Sequence, residues 1–288
     1  MKTFSKKHPL LFSIIVISVV SVLMTTLPVI VSNTFTGNNS ATLAIIQSVA
    51  ATVMCLAVCL VAIIIARHIG IAKGWFNVKG TAKGLLLGSY AILFAVAIYI
   101  INAAGIPAEY WIAPKLLPLL SAFAMAFAIG LMEEVLVRGL VLNVLLNNSN
   151  GSRKDVLKAC WISSVIFGVM HLTNFITGAA FIETVGQVIY AAFIGMFLAA
   201  VYIRTKSLWV PIILHAIIDL QGLIMATLLS PQALDNSAPQ LVMTIMEEII
   251  SSLGSVVISL PFVVVALILL RKKKIKDVAD PTTMTTDN

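Results

Sequence analysis

Long apolar stretches alternate with short polar ones along the chain. A helix needs roughly 17–25 mostly apolar residues to cross a bilayer. Eight stretches meet that need: 10–31, 42–66, 84–102, 117–146, 156–172, 184–203, 208–228 and 249–270. The pattern predicts an all-α, polytopic integral membrane protein of about eight transmembrane helices, with residues 1–288 as a single membrane domain. The first stretch follows Lys6 and Lys7, as a signal peptide would. Its apolar run is too long for a signal core and no small-x-small cleavage site follows, so it reads as the first helix. The run NNSNGSRKD at 147–155 has turn chemistry and separates the fourth and fifth segments. The polar end, 277–288, is expected to be disordered.

Charge places these segments relative to the membrane. Lys2, Lys6 and Lys7 precede the first. Arg67, Lys73, Lys79 and Lys83 follow the second, and Arg153, Lys154 and Lys158 follow the fourth. Arg204 and Lys206 follow the sixth, and Arg271, Lys272, Lys273, Lys274 and Lys276 follow the eighth. With eight crossings, seventeen of the nineteen basic residues fall on one face. Lys115 falls on the other, and Arg138 lies inside a span. The positive-inside rule makes the basic face cytoplasmic and puts both termini there.

Composition agrees. The chain is 60% hydrophobic and 11% charged, where a soluble domain carries about 25% charged residues. The net charge of +7 is spread over short loops, so it reads as topology and excludes a nucleic-acid partner. Cys55, Cys59 and Cys160 lie in apolar runs and read as packing residues, not a disulfide framework or a metal set.

Against this apolar background, few polar residues fall within the spans. Glu133, Glu134 and Arg138 lie on the fourth, His171 ends the fifth, and His215 and Asp219 lie on the seventh. A charge at mid-bilayer costs on the order of 2.5–3.5 kcal/mol on insertion scales, so such residues face partners or a cavity. At 1.5 Å rise per residue, all six fall between about 10 and 22 Å from the basic face. One shared polar pocket accounts for them. Glu134 and Arg138 stand at i and i+4 in the order that favours an ion pair. Glu133, turned about 100° away, then has no local partner and can point into the pocket. His215 and Asp219 also share one helical face. Phe167 and His171 do too, with Gly168 permitting close helix approach. Taken singly, each pair reads as structural glue as readily as chemistry; glue does not require a spare acid and two histidines. The paired glutamates of MEEII, 246–250, lack an Arg four residues on and read as a solvated helix start.

EEVLVR, FGVMH and HAIID, in that order on three membrane helices, resemble the Glu-Glu-x-x-x-Arg, Phe-x-x-x-His and His-x-x-x-Asn/Asp motifs of the type II CAAX prenyl endopeptidases. The bacterial branch of that family is the CPBP (Abi) group of intramembrane proteases, which includes bacteriocin-immunity proteins. The resemblance covers roughly 116–228, the expected catalytic core. It implies an endopeptidase in which Glu133, helped by His171, activates water. His215 and Asp219 would stabilise the oxyanion, and Glu134 with Arg138 would support the site. Many relatives carry Asn where this chain has Asp219. A carboxylate donates a hydrogen bond only when protonated, so Asp219 serves equally well to orient His215.

The residues themselves allow that chemistry. Amide hydrolysis needs an activated water, a proton shuttle and oxyanion donors. No cofactor is expected, although Glu133, His171 and His215 could supply a His₂Glu set for zinc or another divalent metal. The expected partners are the bilayer and a membrane-embedded or lipidated peptide, met in the cell membrane at a site opening toward the cytoplasm. A proton-coupled transporter and a non-catalytic immunity or interaction protein remain as alternatives, because buried Glu, His and Asp also build proton relays.

Overall fold

A computed structural model describes residues 1–35, 40–104, 106–113, 116–229 and 245–271. The expectations for the tail 277–288, for Lys115 and for Lys272, Lys273, Lys274 and Lys276 fall outside these residues.

All eight apolar segments are helical. They form α1 (Pro9–Thr34), α2 (Ser40–Ile69), α3 (Thr81–Leu87) with α4 (Ser89–Ala104), and α5 (Leu116–Asn147). After these come α6 (Arg153–Met170), α7 (Phe181–Thr205), α8 (Trp209–Leu228) and α9 (Ile245–Leu269). Among the described residues there is no strand; Trp111 and Leu229 form an isolated antiparallel bridge. Six of the helices, α1, α2, α5, α6, α7 and α9, are long and apolar enough to cross a membrane. The third expected span is a bent pair, with α3 and α4 meeting at 57°. Gly88 lies at that bend, where a Cβ would run into the side chain of Leu214 on α8. The seventh expected span is the 20-residue helix α8, Trp209–Leu228. The eight segments are thus six long spans, a seventh if the bent pair counts as one, and α8.

The connections sort the helix ends into two groups. Arg153 Nε donates to the Leu270 carbonyl at 2.9 Å, which sets the start of α6 beside the end of α9. Leu208 N donates to the Trp75 carbonyl at 2.7 Å, which sets the α7–α8 turn on the loop after α2. The short helix Lys2–Lys7 packs beside Asn143–Asn147. This end carries Arg67, Lys73, Lys79, Lys83, Arg153, Lys154, Lys158, Arg204 and Lys206. At the opposite end, Ile112 N donates to the Leu228 carbonyl at 3.0 Å, which joins the entry of α5 to the exit of α8.

α7 is the central post. Within its apolar window 61% of the helix is buried, against 18–39% for the other five long helices, whose outward faces are apolar. Lipid, not water, suits such faces. α6 lies against α7 almost backbone to backbone: a Cβ on Gly168 would collide with the Val188 carbonyl. The close approach expected at that glycine is therefore present. Tyr90, Phe197 and Phe262 stack edge to face with ring centroids 4.8–6.5 Å apart, tying α4, α7 and α9 together.

α5 changes character near its middle. Leu116–Glu134 is α-helical, Val135–Leu142 is π-helical, and Asn143–Asn147 returns to α. A π-helix closes i→i+5 bonds, is rare, and often marks a functional position. Asn143 supports the widened turn. Its Nδ2 lies 2.8 Å from the Arg138 carbonyl, 2.9 Å from the Gly139 carbonyl and 2.8 Å from Tyr202 Oη on α7.

Candidate active site

The junction of α5, α6, α7 and α8 gathers the six residues singled out in the sequence. Arg138 is fully buried. Its Nη1 donates to Glu134 Oε1 at 2.7 Å, closing the expected i, i+4 ion pair. Its Nη2 donates to the Gly195 carbonyl at 2.9 Å, and the guanidinium carbon lies 4.7 Å from the centroid of the Phe167 ring. A carboxylate, a carbonyl and an aromatic face offset part of the cost of desolvating the guanidinium, whose Nε makes no hydrogen bond. Gly195 makes the fit possible, since a Cβ there would crowd Phe167 and Arg138.

Glu134 holds a second partner. His215 Nδ1 lies 2.8 Å from Glu134 Oε1, so one carboxylate oxygen receives both the guanidinium and the imidazole. The sequence offered Asp219 as the residue that orients His215. The short aligned bond comes from Glu134 instead, across helices and 81 positions apart. With Nδ1 facing a carboxylate, Nε2 is directed to the other side of the ring. There it meets Glu133 Oε2 at 3.4 Å and Asp219 Oδ2 at 3.5 Å. Glu133, without a partner on its own helix, thus has one on α8.

His171 stands one step away. Its Nδ1 lies 3.0 Å from the Phe167 carbonyl. A carbonyl only accepts, so this bond puts the proton on Nδ1 and leaves Nε2 of a neutral ring as an acceptor. No ion pair joins His171 to Glu133 among the described residues; the Phe167 ring stands edge-on to both histidines, 5.1 Å from His171 and 5.5 Å from His215.

Exposure divides the set. The side chains of Glu134 and Arg138 are 0% exposed and that of His215 is 6%. Glu133 is 15% exposed and Asp219 29%, and His171 is partly exposed. Glu133, Asp219 and His171 are thus the accessible members of the set, with His215 behind them. Among the described residues no three His, Cys, Asp or Glu side chains converge closely enough to hold a metal ion. Glu133, His171 and His215 are thus not drawn together around one point.

Several members of the site carry no sequence signal. Gly195 contributes a carbonyl, which every residue has. Asn143 and Tyr202 lie 59 positions apart. Trp75, in the loop after α2, packs its ring against Gly139. Only Phe167, the first residue of its motif, was available to inspection.

The fold and site together define a polytopic all-α membrane protein with a buried, acid-rich cluster at a helix junction. Residues 115–221 match the family described as Type II CAAX prenyl endopeptidase Rce1-like. That segment contains all three motifs, and the resemblance they suggest is borne out over it. No curated protein and no solved structure matches the chain.

Proposed function

We propose that the protein is an intramembrane endopeptidase that hydrolyses a peptide bond of a membrane-associated substrate with water activated by Glu133. One observation carries this reading. His215 is held from behind by Glu134, while its other nitrogen faces two partly exposed carboxylates, Glu133 and Asp219. Such an arrangement sets a donor and a base side by side where both are partly accessible.

Glu133 takes a proton from water as the water oxygen bonds to the peptide carbon. His215, donating from Nε2, stabilises the oxygen of the tetrahedral intermediate. Collapse of the intermediate breaks the carbon–nitrogen bond, and the proton held by Glu133 passes to the leaving amine, directly or through His171 Nε2. Asp219 receives Nε2 of His215 when no substrate is present and hydrogen-bonds the peptide when it is. Arg138 offsets the charge of Glu134, so that orienting His215 adds less negative charge to that of Glu133 and Asp219.

The test is cleavage of a hydrophobic peptide library by the purified protein in liposomes, with and without chelator. Cleavage that survives chelation is expected. Cleavage abolished by chelation assigns the water to a metal. No cleavage at all, together with substrate uptake driven by a pH gradient, makes the protein a transporter.

A further inference from the structure

We propose that the loop between α2 and α3, together with α3 and the α7–α8 turn, forms a binding surface for an anionic phospholipid in the leaflet on the basic side. The proposal goes beyond the hydrolytic reading and does not rest on it.

The surface is built from two segments, 70–87 and 205–209, which are fixed to each other along their length. Leu208 N donates to the Trp75 carbonyl at 2.7 Å, and Trp209 Nε1 donates to the Phe76 carbonyl at 3.2 Å. The Phe76 and Trp209 ring centroids lie 5.4 Å apart. Further on, Gly84 of α3 approaches Thr205 so closely that a Cβ would come within 2.8 Å of its methyl group. Lys83 and Lys206, the next residues along, are therefore neighbours across the two segments.

The surface carries charge of one sign. Lys73, Lys79 and Lys83 on the first segment and Lys206 on the second are all exposed. No Asp or Glu occurs between Arg67 and Lys83 or between Arg204 and Trp209. Among the described residues, the acid at this end of the bundle is Asp155, which opens α6 and accepts the Ser152 hydroxyl at 2.8 Å. These lysines therefore attract an anion with no acid of their own segments to offset them.

Apolar side chains stand beside the cations, and they select a lipid over a soluble anion. Phe76 and Val78 are exposed between Lys73 and Lys79. On α3, Lys83, Leu86 and Leu87 stand at i, i+3 and i+4 and share one face. Leu86 and Leu87 are both exposed. The other face carries Gly84 and Gly88, set against Val210 and Leu214. α3 leads into α4 and away from the basic end, so its leucines lie about 5 Å deeper than Lys83. One stripe thus offers a cation at the membrane surface and apolar contact below it, as a headgroup above its acyl chains requires. Free phosphate or a soluble acidic peptide would engage the lysines and leave the leucines unused. The same loop reaches inward, where the Trp75 ring rests on Gly139 of the π-helical turn. A lipid held here braces that contact and stabilises the folded protein.

The test is binding of phosphatidylglycerol and phosphatidylcholine to the purified full-length protein in neutral detergent, titrated by native mass spectrometry alongside melting temperature. Phosphatidylglycerol should bind at least about tenfold more tightly and raise the melting temperature. The fourfold variant Lys73→Gln, Lys79→Gln, Lys83→Gln, Lys206→Gln should bind it at least about tenfold more weakly. A charge-matched control, Lys6→Gln, Lys7→Gln, Lys154→Gln, Lys158→Gln, alters lysines exposed at the same end and should stay within about threefold of wild type. If the fourfold variant does not accumulate, Lys79→Gln with Lys83→Gln is compared with Lys154→Gln with Lys158→Gln. Equal losses in the two sets would reduce the effect to overall charge and overturn the surface. Equal binding of the two lipids overturns the charge selection. Inorganic phosphate or an acidic peptide that displaces phosphatidylglycerol at equal concentration overturns the lipid as occupant and assigns the surface to a soluble anion or a protein partner.

Discussion

Glu133 and Glu134 are neighbours in sequence and opposites in circumstance. Glu134 is sealed from solvent and holds two short bonds, to Arg138 at 2.7 Å and to His215 at 2.8 Å. Glu133 is partly exposed, and its nearest basic partner lies at 3.4 Å without an aligned hydrogen bond. The same contrast extends to their surroundings. The half of the junction toward the basic loops is packed with buried apolar side chains around the π-helical turn, while the other half is loosely filled. A charge in lipid must be matched closely or given water. This molecule does the first with Glu134 and Arg138 and the second with Glu133 and Asp219. On the proposed reading, stability falls to one glutamate of the motif and reactivity to its neighbour.

The largest expected effect comes from breaking the sealed half. Arg138→Ala leaves Glu134 buried without its cation, which typically costs about 3–5 kcal/mol. Folded protein in the membrane should fall sharply, and melting in detergent should show it. The double change Glu134→Leu with Arg138→Leu should recover part of the loss, because no uncompensated charge remains. A single mutant that melts like wild type would show that the pair does not hold the junction.

A smaller effect is expected at the π-helical turn. Asn143→Leu removes the donor shared by Arg138, Gly139 and Tyr202 and should cost about 1–3 kcal/mol. Tyr202→Phe removes one of those partners alone and should cost about 1 kcal/mol. Circular dichroism melts in detergent order these two variants. If Asn143→Leu is the milder of the two, the amide does not support the widened turn.

The sequence made the helices visible because lipid imposes a strict demand on length and apolarity, and eight segments met it. It also exposed the Glu134–Arg138 pair, since four residues on one helix is a fixed distance. The bend at Gly88 was not visible, since it depends on how α8 packs against it. Convergence of the three motifs was inferable from depth. The bond between His215 and Glu134 was not, because it depends on how two helices are rotated. The same limit applies to the π-helical turn, whose residues Val135–Leu142 read as an ordinary apolar run, and to Trp75, a loop residue that reaches the core.

The central claim is that Glu133 works on water while Glu134 holds the site. Glu133→Gln keeps the shape but removes the base, and loss of a general base typically costs about 10²–10⁴ in rate. Burying an amide is easier than burying a carboxylate, so the fold should be retained. The decisive measurement is peptide cleavage in liposomes by wild type and Glu133→Gln, with the melting temperature of each. The account predicts a rate lower by at least about a hundredfold at an unchanged or higher melting temperature. Cleavage at the wild-type rate by a well-folded Glu133→Gln would contradict it.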